Sequence, residues 1–173
     1  SSDLEREYYL SVPDNYDPDA EALPLLIMIH GSGDSIDGWL EGGFQGEGLL
    51  HLARQDAIVV IPNGLAGTDG RRNWDATTER DYDFFLDLLA ELDLQVTYDY
   101  RRIFVTGHSA GALMTHGLGC HLGDIFRAIA PSAGSLTDLE FSCNGAVAVM
   151  QIQGEFDEIQ TLEVVTQTRD DWA

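Results

Sequence analysis

Two unbroken apolar runs, Leu25-Leu26-Ile27-Met28-Ile29 and Ala57-Ile58-Val59-Val60-Ile61, constrain the fold of this chain more than any other feature. Neither alternates with polar residues, so each fits a strand covered on both faces. Arg102 to Thr106 reads as a third buried strand, Phe126 to Pro131 and Ala146 to Ile152 as two more, and Glu5 to Val12 as an edge strand. Helical spacing fills the intervals at Gly46 to Arg54, Arg80 to Thr97, the segment from Ser109 to His121, and Thr161 to Trp172. Strands separated by helices predict an α/β fold, a mostly parallel sheet with helices on both faces. Ligands of such sheets sit at the carboxyl ends of the strands. A polar, Gly-rich loop from Asn63 to Thr78 is long enough to suggest a role. With 173 residues and no break in composition, residues 1–173 are expected to form a single domain.

Charge sets the partners. There are 30 Asp and Glu against nine basic residues, all arginine, for a net charge of −21. Nucleic acid is excluded as a partner, because its phosphates would be repelled. An acid-rich, lysine-free surface also suggests adaptation to high salt, where screening removes self-repulsion. No apolar run approaches the roughly 20 residues that cross a bilayer, so no membrane segment is expected. The first residues, SSDLEREYYL, have neither a basic region nor an apolar core, and they leave the compartment open. Histidines and cysteines lack the spacing of a zinc site, and without lysine there is no phosphate loop of the Gly-x-x-x-x-Gly-Lys type; no metal or cofactor is expected. Cys120 and Cys143 either pair once in an oxidising compartment or are two separate small buried residues.

Gly107-His108-Ser109-Ala110-Gly111 follows a buried strand and opens a helix. That is the setting of the Gly-x-Ser-x-Gly elbow, in which a sharp turn exposes a nucleophilic serine above the sheet. Glycine on either side removes side chains that would strike the neighbouring strand and helix. His30-Gly31-Ser32-Gly33 follows the first buried strand, where the second half of an oxyanion hole is expected. Backbone N–H groups of Ser32 and Ala110 are the candidate donors, and His30 is expected to hold the loop rather than carry protons. Asp157, just beyond the last strand, is placed to orient a histidine. Its competitors are Glu155 and Glu158.

The segments IMIHGSG, VVIPNG, NWD, RDYDFF, RRIFVTGHSAGALM, FRAIAPSAGSL and QIQGEFD occur in the order seen in the polyhydroxybutyrate depolymerase and feruloyl esterase-like group of α/β-hydrolases. The chain resembles that group from about residue 5 to its end. The resemblance implies the α/β-hydrolase fold and a usually secreted carboxylic ester hydrolase that works through an acyl-serine, on polyester, feruloyl or small acyl esters. It also suggests that Trp74 shapes the acyl pocket, the alternative being a loop anchor. His108 is counted with Trp74 at the substrate site, although its side chain is expected to turn away from the serine.

The family order also requires a histidine after Asp157, and residues 158–173 contain none. His30, His51, His108, His116 and His121 are the five available, and none is placed like a general base. Without a base a serine hydroxyl is a poor nucleophile. Three accounts compete. The sequence stops before a final strand and its histidine loop, leaving an open sheet edge. Alternatively one of the five histidines, or a partner chain in a homo-oligomer that covers that edge, completes the site. The third is a non-catalytic binding module that keeps the fold and the pocket.

Overall fold

The computed structural model describes residues 5–41, 46–136 and 143–173. Its main sheet takes strands β1 (Tyr8–Ser11), β2 (Leu23–Ile29), β3 (Ile58–Pro62), β6 (Tyr98–His108), β7 (Ala128–Ser132) and β8 (Ala148–Val149) in the order β1-β3-β2-β6-β7-β8. All neighbours are parallel except β1 and β3, so the predicted edge strand is the antiparallel one. Helices α1 (Ile36–Leu40), α2 (Gly46–Ala53), α3 (Glu79–Leu92), α4 (Ala110–His121) and α5 (Leu162–Asp171) complete the chain with a small ribbon, β4 (Leu65–Ala66) and β5 (Arg72–Asn73).

The apolar runs are unbroken because successive side chains enter different cores. Leu25, Ile27 and Ile29 of β2 and Ile58 and Val60 of β3 join Phe85 and Leu88 of α3 and Met114 and Leu118 of α4. Their alternates Met28, Val59 and Ile61 pack with Trp39 of α1 and Leu50 of α2 on the opposite face. Period-two alternation thus divides one strand between two apolar layers, which a half-exposed strand could not tolerate.

Several boundaries differ from the sequence expectation. Helix α3 ends at Leu92 rather than near Thr97, because Leu94 falls outside the buried stripe and is 83% exposed. Strand β6 begins at Tyr98, four residues early, where Tyr98 pairs with Leu23 across a register shift. Strand β8 is reduced to Ala148–Val149, and only the bridge between Ser132 and Ile152 continues its pairing. Helix α1 was not anticipated; Ser35 caps it by accepting from Gly38 N–H at 3.3 Å, and Trp39 is buried. Cys120 and Cys143 form a disulfide, which closes the open alternative in favour of pairing.

Candidate active site

Strand β6 ends at His108 and α4 begins at Ala110, so the whole turn falls on Ser109. Its backbone has φ 55° and ψ −118°, a conformation that a residue with a Cβ rarely adopts and that stores of the order of 1–3 kcal/mol. The turn is held from three sides. Ser109 N–H donates to Ser132 O of β7 at 3.0 Å, while its carbonyl accepts from Ala112 and Leu113 N–H. The flanking glycines are required by close approach: a Cβ at Gly107 would strike the Gly111 carbonyl, and one at Gly111 would strike the Ile29 carbonyl of β2. The Ser109 side chain makes no helix-capping hydrogen bond, so the hydroxyl is not drawn into the helix end.

The loop after β2 lies directly against this serine. A Cβ built on Gly31 would sit 3.5 Å from Ser109 Cβ and 3.3 Å from His108 Nδ1. Gly33 N–H donates to Arg72 O and Asp34 N–H to Gly31 O, whereas neither Ser32 N–H nor Ala110 N–H enters a backbone–backbone hydrogen bond among the described residues. Ser32 itself is exposed. Among the described residues both predicted donors are therefore uncommitted to backbone partners.

His30 holds that loop, as expected. Its Nδ1 lies 2.7 Å from Gly31 O, a group that can only accept, so Nδ1 carries the proton. Nε2 then accepts from Gly64 N–H at 2.9 Å. Both ring nitrogens are engaged in one neutral tautomer, and burial pushes the imidazole below its ordinary pKa. Proton transfer at His30 would break the loop it supports.

Trp74 fits the loop-anchor alternative. Its indole is only 8% exposed, donates Nε1–H to His30 O at 2.9 Å and packs beside Phe84 and Phe85. It nevertheless borders a cleft of about 410 Å³ that also includes Ser32. Asp75 beside it is engaged by the Thr77 and Thr78 hydroxyls and the Thr77 N–H. Burial opposes its ionisation, but these bonds and Arg80 outweigh it and hold the carboxyl at about 2. Asp75 N–H in turn donates to the fully buried Asp81, which pairs with Arg6 and Arg80.

Asp157 lies past β8, and its Oδ1 accepts from Ile159 and Gln160 N–H, each at 2.9 Å. Those two bonds, with a smaller contribution from His108, hold its carboxyl below the usual range. The attraction is reciprocal: burial lowers His108, while Asp157 and Asp34 pull it back up. His108 therefore does not turn away from the site. Its ring stands against Gly31 of the loop after β2 and in the field of Asp157. The sequence reading of its direction is corrected here, because the residue closes β6 at the carboxyl end of the sheet, where side chains face the loops.

The other histidines are engaged elsewhere. His116 is buried in α4, with Nδ1 accepting from Trp172 Nε1–H at 3.1 Å. The proton must then sit on Nε2, which faces the Gly134 carbonyl without a well-formed hydrogen bond. His121 stacks on Tyr82 and pairs with Glu79. His51 is exposed on α2. Among the described residues no His, Cys, Asp and Glu cluster could hold a metal. Nor is any described helix long and apolar enough to cross a membrane.

The β4–β5 ribbon was not foreseen. Asp69-Gly70, with Gly70 at φ 78°, turns the chain so that Gly67 N–H donates to Arg71 O. An Asp-Gly pair is a hairpin signal, but its strands are too short to show alternation. The ribbon places Arg71 against Gly33, with Nε and Nη2 3.0 and 3.1 Å from where a Cβ would stand. It also sends the Arg72 guanidinium to Gly64 O at 3.0 Å.

Comparison with known proteins agrees with this geometry. The sequence profile of the prolyl oligopeptidase family matches residues 44–163. Feruloyl esterase C of Emericella nidulans is 30% identical over 167 residues, covering 91% of this chain and 57% of that protein. Feruloyl esterase B of Piromyces equi is 30% identical over 135 residues, 76% of this chain and 24% of that protein. The chain spans about half the length of the feruloyl esterase C relatives it matches. Among solved structures, the Bacillus cereus carboxylesterase superposes with a TM-score of 0.74 at 16% identity, over 99% of this chain and 81% of that one. A thermostable esterase gives 0.73 at 19% identity, over 98% and 48%. Likeness at such low identity concerns the fold, which is that of the α/β-hydrolases.

Proposed function

Because this chain belongs to the prolyl oligopeptidase family of α/β-hydrolases, we propose that it is a carboxylic ester hydrolase working through an acyl-serine on Ser109. The observation that carries this is the strained Ser109 backbone, set with its Cβ against Gly31. A serine held there serves no helix cap and no core, so the strain points to chemistry. Ser109 Oγ attacks the ester carbonyl carbon, and Ser32 and Ala110 N–H donate to the oxyanion that forms. The alcohol then leaves with the serine proton, and water attacks the acyl carbon to restore the hydroxyl and release the acid. Asp157 is the orienting acid of this site, and its charge already acts on the elbow through His108. His108 and Trp74 border the substrate, and Trp74 does so through the cleft it shares with Ser32.

Similarity to two feruloyl esterases favours feruloyl or related acyl esters. The Cys120–Cys143 disulfide favours an oxidising, extracellular location. A second reading, a ligand-binding module without turnover, would keep the fold and the cleft beside Ser32 without the chemistry. One experiment separates them: intact mass after a fluorophosphonate probe, with hydrolysis of methyl ferulate and 4-nitrophenyl butyrate measured in parallel. A single adduct and turnover, both lost in Ser109→Ala, are expected. Unlabelled protein that still binds these esters would make it a binding module.

A further inference from the structure

The cleft beside the elbow contains a positive charge that the fold does not use. It is lined by Ser32, Asp69, Arg71, Asn73, Trp74 and Asp75, together with Arg80 and the ends of the β4–β5 ribbon. Arg80 is committed to Asp81, and Arg6, Arg72, Arg102 and Arg169 also stand in ion pairs. Arg71 is exposed and enters none of the ion pairs among the described residues, in a chain with 30 carboxylate side chains. The acids lining the cleft with it are engaged locally. Asp69 accepts from Arg71 N–H and so stabilises its own turn, while both Asp75 oxygens are taken by Thr77 and Thr78. The guanidinium rests on bare backbone at Gly33, where any side chain would displace it.

Position gives this charge its meaning. A Cβ at Gly31 would meet Ser109, and one at Gly33, two residues on, would meet Arg71. Two residues span at most about 7 Å, so Arg71 lies within reach of a ligand whose carbonyl sits at Ser109. We propose that Arg71 is a specificity-determining residue that receives a carboxylate carried by the ester, several carbon atoms from the bond being cleaved. The proposal rests on the ester-hydrolase function above. An arginine fork pairs with a carboxylate in a charge-assisted, often bidentate way that a neutral ester cannot supply. It would also let an acidic protein accept an anionic substrate that its surface otherwise repels.

The test compares kcat/KM for mono-4-nitrophenyl adipate with that for its neutral methyl ester, in the natural protein, Arg71→Gln and Arg71→Lys. The natural protein should prefer the carboxylate-bearing ester, and Arg71→Gln should lower that preference by about tenfold or more. Arg71→Lys should retain part of it, and salt should weaken it. A preference ratio unchanged in Arg71→Gln overturns the proposal while leaving the hydrolase function standing. If neither ester is turned over, the hydrolase function fails instead, and titration of adipate followed by NMR decides the subsite. Adipate binding at low salt that disappears in Arg71→Gln supports it; absent or unaltered binding overturns it.

Discussion

At Ser109, conformation and chemistry make separable demands on one residue. The side chain can be removed without touching the backbone, since alanine keeps the Cβ that causes the strain. Ser109→Ala should therefore abolish hydrolysis with Tm nearly unchanged, whereas Ser109→Gly should abolish it and raise stability by up to about 1 kcal/mol. Thermal unfolding of the two variants side by side is the measurement; equal Tm values would mean that the turn is unstrained. His116 makes a different demand, because its buried ring must stay neutral. Burial pushes it down to about 4 from an ordinary 6.5, so the unfolded chain takes up a proton first as pH falls. The stability it contributes is complete above pH 6.5 and is lost as pH falls through 4, on the order of 3 kcal/mol in all. His30 acts in the same direction. Tm measured from pH 7.5 to 4 should fall, and less steeply in His116→Gln, which can still accept from Trp172. The turn at Ser109 and the loop contacts of His30 were legible in the sequence because each residue follows a buried strand in a glycine-rich context. The direction of His108 was not, since a side chain at a strand end is steered by the loops it meets.

Between elements, contact distance decides what can change. Strand β2, the elbow and α4 meet through backbone atoms at Gly107, Gly111 and Ile29, where the nearest neighbours are main-chain carbonyls that cannot yield. Gly107→Ala and Gly111→Ala should each destabilise by about 2 kcal/mol or more, read as a lower denaturant midpoint and lost activity. Retained stability in either would mean that strand and helix can move apart. Strands β2, β3 and β6 and helix α4 were readable because unbroken apolar runs and small-residue spacing survive without knowledge of neighbours. The ends of α3 and β8 were not, as they depend on where a buried stripe runs out and on how many partners an edge strand has. The β4–β5 ribbon escaped for a related reason: strands of two residues carry no period, and only Asp69-Gly70 announced them.

Across the whole molecule, a net charge of −21 on 173 residues works against compactness. Among the described residues few of the carboxylates pair with an arginine, so most of the repulsion falls on the solvent to screen. Raising sodium chloride from 0.05 to about 2 M should therefore increase Tm by several degrees, whereas an unchanged or lower Tm would show that the acidic surface carries no stability cost. The single disulfide ties the end of α4 to the segment before β8, and its reduction should lower Tm without altering the elbow, which it does not touch. Against this background the β4–β5 ribbon divides the molecule's evolutionary freedom. Its inner side supports the loop after β2 through Arg72 O and cannot drift, but its outer turn at Asp69-Gly70 and the Arg71 side chain face solvent. Substitutions or insertions at that tip can present new groups to the cleft while Ser109 and the loop after β2 stay in place. Descendants of this chain could thus exchange one substrate preference for another in a few mutational steps, without first crossing a valley of misfolded intermediates.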